Sequence, residues 1–216
     1  LHVSQHSFPT RRSSDLGDFG KALVIGGSLS YPFAPAIAAT FMDFVGPGYV
    51  CLSLPQEIFA ITSKRVPLSC VFSSDALSHL NRYSAILFGN GLEKNDANMA
   101  LLSSLLKDYE GILVIDATGL DLLKEVGFMG DNGKKTIILT PHLGEARQLL
   151  DSKIVSKEPE DYGSLAQAYA EEHDLFLLLK SSHSILFGKG MKPMTSSYPP
   201  TPSLAHAGSG DALAGL

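Results

Sequence analysis

Short runs of apolar residues recur along the chain, and most are closed by glycine or a polar residue at the carboxyl end. Ala22-Leu23-Val24-Ile25 ends at Gly26-Gly27-Ser28, and Ala85-Ile86-Leu87-Phe88 ends at Gly89-Asn90-Gly91. Ile112-Leu113-Val114-Ile115 ends at Asp116, Thr136-Ile137-Ile138-Leu139 at Thr140-Pro141-His142, and Leu175 to Leu179 at Lys180. Tyr49-Val50-Cys51-Leu52, Leu68 to Phe72 and Ser184-Ile185-Leu186-Phe187 complete a set of eight predicted strands. Between them lie helical patterns. Ala36 to Phe44 reads as an apolar helix. Asn95 can cap a helix that carries Ala97, Leu101 and Leu105 on its apolar side. Pro159 suits the first turn of another, with Tyr162, Leu165, Ala166, Tyr169 and Ala170 on one stripe. Gly188 to Leu204, rich in Pro and Ser, is expected to form a hairpin or loop near a site.

The strand runs are apolar almost throughout rather than at alternate positions, so both faces are expected to be buried. The predicted fold class is therefore α/β, with a central, mostly parallel sheet flanked by helices on both faces.

The two ends of the chain break this pattern. Leu1 to Leu16 has no sustained periodicity and no apolar core of a secretion signal. It is read as a non-native or disordered segment, and residues 17–216 as one domain. At the other end, Ala212-Leu213-Ala214-Gly215-Leu216 reads as the first turn of a helix that stops, so the natural protein is expected to continue.

Composition narrows the function classes. With 17 basic against 22 acidic residues the net charge is −5, which is no nucleic-acid footprint. An anionic ligand would have to be held by backbone N–H groups and a few local cations. Cys51 and Cys70 lack the spacing of a zinc site and read as small hydrophobes in or near strands. No apolar run is long enough to cross a bilayer. A cytoplasmic setting is expected.

Ligands of open α/β sheets bind beyond the carboxyl ends of the strands, where the polar residues of this chain cluster. In Gly208-Ser209-Gly210-Asp211, two glycines before a helix let the backbone approach a phosphate, and Asp211 enters the first turn. Asp211 can take a proton from a hydroxyl or hold Mg²⁺ through water, or simply favour a helix start. His142 can donate to a ligand at the cleft rim, or merely end a strand while Glu145 caps the next helix. Lys180 is either a phosphate cation or a solvated strand end. Asp116 is either a polar group facing the cleft or a helix cap.

These segments, in this order, resemble the ADP/ATP-dependent NAD(P)H-hydrate dehydratase family of the ribokinase-like superfamily. The resemblance covers about Lys21 to Leu216. It rests on Val24-Ile25-Gly26-Gly27-Ser28 with Tyr31-Pro32 and Ala34, on Phe88-Gly89-Asn90-Gly91-Leu92, and on Val114-Ile115-Asp116-Ala117. Thr140-Pro141-His142-Leu143-Gly144-Glu145-Ala146, Leu179-Lys180 and Gly208 to Gly215 complete it, and the Thr-Pro-His-x-Gly-Glu form is the most discriminating. The resemblance implies a ribokinase-like fold and the repair of NADH or NADPH whose nicotinamide ring has been hydrated. ADP or ATP would phosphorylate the ring hydroxyl, with Mg²⁺ as the expected metal and no protein ligand to it directly assigned. Asp211 is implied as the base, and Ala34, Gly91 and His142 as the lining of the hydrated-cofactor side. Lys180, Ser181, Ser182, His183 and Ser184, with Gly208, Ser209 and Gly210, are implied for the nucleotide. A homo-oligomer and an accompanying NAD(P)H-hydrate epimerase domain are also expected.

Five positions depart from the family pattern. Phe33, Glu93 and Ser181 stand where glycine is usual, and Thr118-Gly119 interrupts the usual Asp-Ala-Asp-Ala-Leu run. They leave two alternatives open: a thiazole or vitamin-alcohol kinase of the same superfamily, or a catalytically silent nucleotide-binding module.

Overall fold

The computed structural model describes residues 19–73, 75–128, 135–151, 158–197 and 206–216. The segment Leu1 to Leu16 and residues 198–205 of the Pro- and Ser-rich stretch lie outside the described residues. The strands are β1 (Lys21–Ile25), β2 (Tyr49–Ser53), β3 (Val71–Phe72), β4 (Ala85–Phe88), β5 (Ile112–Ile115), β6 (Thr136–Leu139), β7 (Phe176–Leu179), β8 (Ile185–Gly188) and β9 (Met194–Thr195). They form one sheet in the order β3-β2-β1-β4-β5-β6-β7-β8-β9. From β3 to β7 every pairing is parallel, and β8 and β9 add an antiparallel edge.

The helices are α1 (Ala34–Val45), α2 (Gln56–Thr62), α3 (Asp96–Asp108), α4 (Thr118–Val126), α5 (Leu143–Leu149), α6 (Gly163–Glu172) and α7 (Ser209–Gly215). Side-chain alternation along β1 divides the core into two layers. Ala22 and Val24 pack with Ala38, Ala39 and Met42 of α1 and Ala214 of α7. Leu23 and Ile25 belong to the opposite layer, which takes Leu102 and Leu105 of α3, Leu120 and Leu123 of α4, Ala146 of α5 and Ala166 and Ala170 of α6. Helices therefore cover both faces, as the unbroken apolar strands require.

Two details differ from the sequence expectation, while the hairpin alternative for the stretch from Gly188 holds over its described part. The third strand is two residues long, because Cys70 N–H turns back to the Pro67 carbonyl and leaves Leu68 exposed. The helix expected at Pro159 opens with a 3₁₀ turn over Pro159–Tyr162 before α6 begins. Gly188 ends β8 and Met194–Thr195 pairs back on it, so the described part of that stretch is a hairpin.

The chain winds outward from β1 through β2 to β3, then returns to place β4 on the other side of β1 and winds the opposite way. The reversal opens a crevice at the carboxyl ends of β1 and β4, where ligands of this architecture bind. Helix α7 is brought to that edge by packing on α1. A Cβ on Gly215 would come within 2.2 Å of the Ala38 carbonyl oxygen, so the two backbones meet where only glycine fits. Gly215→Ala is expected to cost about 1–3 kcal/mol through overpacking, read as a lower urea midpoint at unchanged slope.

Candidate active site

Four strand exits and one helix start converge on a buried carboxylate. Asp116 follows β5 and its side chain is 2% exposed. Its Oδ1 accepts from Lys180 Nζ at 2.5 Å and from Thr140 Oγ1 at 2.8 Å. Its Oδ2 accepts from Asn90 Nδ2 at 3.2 Å. Asn90 follows β4, Thr140 follows β6 and Lys180 follows β7. A carboxylate this buried is stable only when paired and hydrogen-bonded, and here both oxygens are engaged. The same Asn90 amide donates to Asp211 Oδ1 at 2.6 Å, which ties α7 to the end of β4.

Backbone packing sets these distances. Gly89 has φ +125°, and a Cβ there would lie 2.0 Å from the Asp116 carbonyl oxygen. The exits of β4 and β5 thus touch main chain to main chain, which no other residue permits. Ala117, next to Asp116, holds φ 49° and ψ −128° at the start of α4. This is a left-handed strain in a non-glycine residue beside the buried charge.

The electrostatics of Asp211 follow from the same contacts. Burial raises its carboxyl above the ordinary value; the Asn90 hydrogen bond lowers it, the Asp116 charge raises it and the Lys180 charge lowers it. Burial also raises Glu145, against the opposing hydrogen bond from the His142 main chain. His142 and Glu145 form a reciprocal cap on α5. Glu145 N–H donates to His142 Nδ1 at 3.1 Å, and His142 N–H donates to Glu145 Oε2 at 2.8 Å. With Nδ1 accepting, the neutral ring carries its proton on Nε2, and the side chain is 60% exposed. Lys180 N–H bonds to the Pro141 carbonyl at 2.8 Å, so His142 and Lys180 are neighbours across the sheet edge.

The candidate residues fall into two groups. Lys180, Ser181, Ser184, Gly208, Ser209 and Gly210 line a cavity of about 510 Å³ whose apolar wall includes Ile37, Phe41 and Leu213. Gly210 lies beside the lysine, since a Cβ there would be 3.5 Å from Lys180 Nζ. Ser182 and His183 form the turn between β7 and β8 without lining that cavity; Ser181 Oγ donates to the His183 carbonyl at 3.0 Å. Ala34 opens α1 and packs on Gly91, whose Cβ position lies 3.1 Å from Ala34 Cβ. A second cavity, of about 450 Å³, lies at the ends of β1 and β2, between Gly26-Gly27-Ser28 and Glu93.

Sequence reasoning passed over Asn90 and Thr140 as side chains and left Asp116 ambiguous. Their common signal was a polar residue closing an apolar run at one edge of the sheet. Asp116 does not cap α4, whose N-cap Ala117 has no side-chain cap. Its role is to anchor Lys180, which is in turn no solvated strand end. Three of the departures from the family pattern cost the backbone nothing. Among the described residues only Ala117, Asp151 and Asp174 are non-glycine with positive φ, so Phe33, Glu93 and Ser181 adopt ordinary conformations. The Arg65 guanidinium lies 5.6 Å from the Phe33 ring centroid. Among the described residues, no three His, Cys, Asp or Glu side chains converge as a metal cage.

A family model described as NAD(P)H-hydrate dehydratase matches residues 22–216. The chain is 32% identical over 212 residues to the bifunctional NAD(P)H-hydrate repair enzyme of Salinibacter ruber, covering 91% of this chain and 38% of that protein. It spans about two fifths of the length of the curated relatives it matches. Among solved structures, a hypothetical protein of Streptococcus mutans superposes with TM-score 0.81 at 26% identity, over 96% of this chain and 75% of the other. The ADP/ATP-dependent NAD(P)H-hydrate dehydratase of Bacillus subtilis, co-crystallised with ATP and Mg²⁺, gives TM-score 0.77 at 20% identity over 96% and 74%, a likeness of fold. With its glycine-closed strand ends, its buried aspartate and its Gly208-to-Asp211 helix start, the chain belongs to the NAD(P)H-hydrate dehydratase family.

Proposed function

We propose that this domain, residues 17–216, dehydrates hydrated NADH or NADPH at the expense of ADP or ATP and returns the intact reduced cofactor. The observation that carries the reading is Asp211. It is a half-buried carboxylate held at 2.6 Å by Asn90, at the same sheet edge as Lys180 and the Gly208–Gly210 backbone. In this reading Asp211 takes the proton of the ring hydroxyl, whose oxygen attacks the terminal phosphorus of the nucleotide. The bond from that phosphorus to the bridging oxygen breaks as the new phosphate ester forms, and its electron pair leaves with AMP or ADP. Backbone N–H groups of Gly208, Ser209 and Gly210, with Lys180, stabilise the charge on the transferring group. Phosphate then leaves with the ring C–O electrons while the adjacent ring carbon loses a proton, which restores the double bond.

Ala34, Gly91 and His142, the last with its exposed imidazole, would face the hydrated ring. Ser181 and Ser184 would face the nucleotide, with Ser182 and His183 in the turn behind them. The donor set fits Mg²⁺ carried on the nucleotide phosphates and water, because Asp116 is already neutralised by Lys180 and no carboxylate cage is present among the described residues. When bound, the ion supplies charge neutralisation on the phosphates. A homo-oligomeric, cytoplasmic protein that also carries an epimerase activity completes the reading. The bifunctional naming of the relatives supports the last point. No helix among the described residues is long and apolar enough to cross a membrane.

Supplying the protein with hydrated NADH, Mg²⁺ and ADP or ATP should restore the near-ultraviolet absorbance of the reduced cofactor. A vitamin-alcohol kinase would leave that absorbance unchanged. Asp211→Asn should lower turnover at least about 10²-fold while nucleotide affinity, measured by calorimetry, changes less than about threefold.

The same variant should be the more stable protein near neutrality. The folded-state pKa of Asp211 is raised. Its contribution to stability is therefore full below about pH 4 and is lost as pH climbs through the raised value. Asn carries no such charge, so melting scans should show Asp211→Asn gaining roughly 1–3 °C at neutral pH. The gain should shrink towards zero near pH 4.

A further inference from the structure

We infer that Asn90 is a positioning residue for this reaction, its amide bridging Asp211 and Asp116 and so tying the base to the buried Asp116–Lys180 pair. The inference rests on the reading of Asp211 as the base. Asn90 is fully buried, and its Nδ2 donates to both carboxylates, at 2.6 Å to Asp211 and 3.2 Å to Asp116. The orientation of the amide is fixed by chemistry, because a flip would set Oδ1 against two carboxylate oxygens. The price of this arrangement is visible in the other half of the side chain: Asn90 Oδ1 is buried with no hydrogen-bond partner among the described residues. A buried acceptor left unsatisfied destabilises the fold, and an apolar residue of similar size would avoid that cost. It would also leave Asp116 Oδ2 and Asp211 Oδ1 without their shared donor, so a donor needed between two carboxylates accounts for asparagine here.

The bridge spans most of the domain. Asn90 sits at the exit of β4 and Asp211 lies 121 residues later, in α7. Three charged or polar groups face Asp211 from the elements around it: Asn90 from the end of β4, Asp116 from the end of β5 and Lys180 from the end of β7. Asp116 opposes ionisation of Asp211; Asn90 and Lys180 favour it. Removing the amide leaves the like charge of Asp116 and the burial of Asp211 less opposed, so the carboxyl of Asp211 should hold its proton to higher pH.

The test is a pair of variants in the full chain, Asn90→Ala and Asn90→Leu, followed by two readouts. The first is the acid limb of kcat/KM, which should move up by about one pH unit, with kcat falling and the nucleotide KM held within about threefold. The second needs no turnover: the Asp211 carboxyl carbon, titrated by NMR and assigned by its loss in Asp211→Asn, should shift its midpoint upward by the same amount. Should Asn90→Leu fail to fold, Asn90→Ala carries the test, since it removes the orphaned acceptor along with the donor. A folded Asn90→Ala protein with an unmoved or lowered Asp211 titration overturns the inference. Survival of turnover in Asp211→Asn overturns the underlying assignment of the base, and the NMR titration distinguishes the two failures.

Discussion

The site is organised around the need to compensate one buried negative charge. Asp116 is almost wholly removed from water, and a lone carboxylate there would be driven to neutralise or to unfold its surroundings. Lys180, Thr140 and Asn90 satisfy it, and in doing so they fix the exits of three other strands relative to β5. The ion pair is not evidence of exceptional stability, because desolvation offsets much of the attraction. What it secures is geometry. Lys180 is held beside Gly210 before any ligand arrives, and Asn90 carries the constraint on to Asp211.

That geometry depends on topology and on close backbone contact. Winding in opposite directions from β1 and β4 makes the crevice. The approach of Gly89 to the Asp116 carbonyl closes its floor, and the meeting of Gly215 with Ala38 brings α7 over it. The strained Ala117 directly follows Asp116. A site built on strand ends and main-chain contacts is rigid where charge must be placed, and its two flanking cavities leave room for large ligands.

Much of this was legible in the chain. Uniformly apolar strand runs implied a parallel sheet with helices on both faces, and the polar residues closing those runs marked the ligand edge. Gly208 to Asp211 and Lys180 stood out as candidates, each with a plainer reading as a helix start or a solvated strand end. Asn90 and Thr140 did not, since an amide and a hydroxyl after an apolar run are ordinary strand terminators. Only their convergence on Asp116, across crossover connections, gives them meaning. His142 illustrates a different limit: whether it caps a helix or serves a ligand cannot be separated by spacing, and the structure gives it the cap while leaving its side chain largely exposed. The short third strand was overestimated because a turn at Pro67 to Cys70 interrupts an apolar run without a glycine.

The central claim is that this buried network serves transfer of a phosphoryl group to the ring hydroxyl, followed by its departure as phosphate. The fate of the hydroxyl oxygen tests it most directly. If hydrated NADH carrying a heavy oxygen isotope on the ring is turned over with ADP or ATP and Mg²⁺, mass spectrometry should find the label in inorganic phosphate. Label appearing in water, with unlabelled phosphate, would contradict the account.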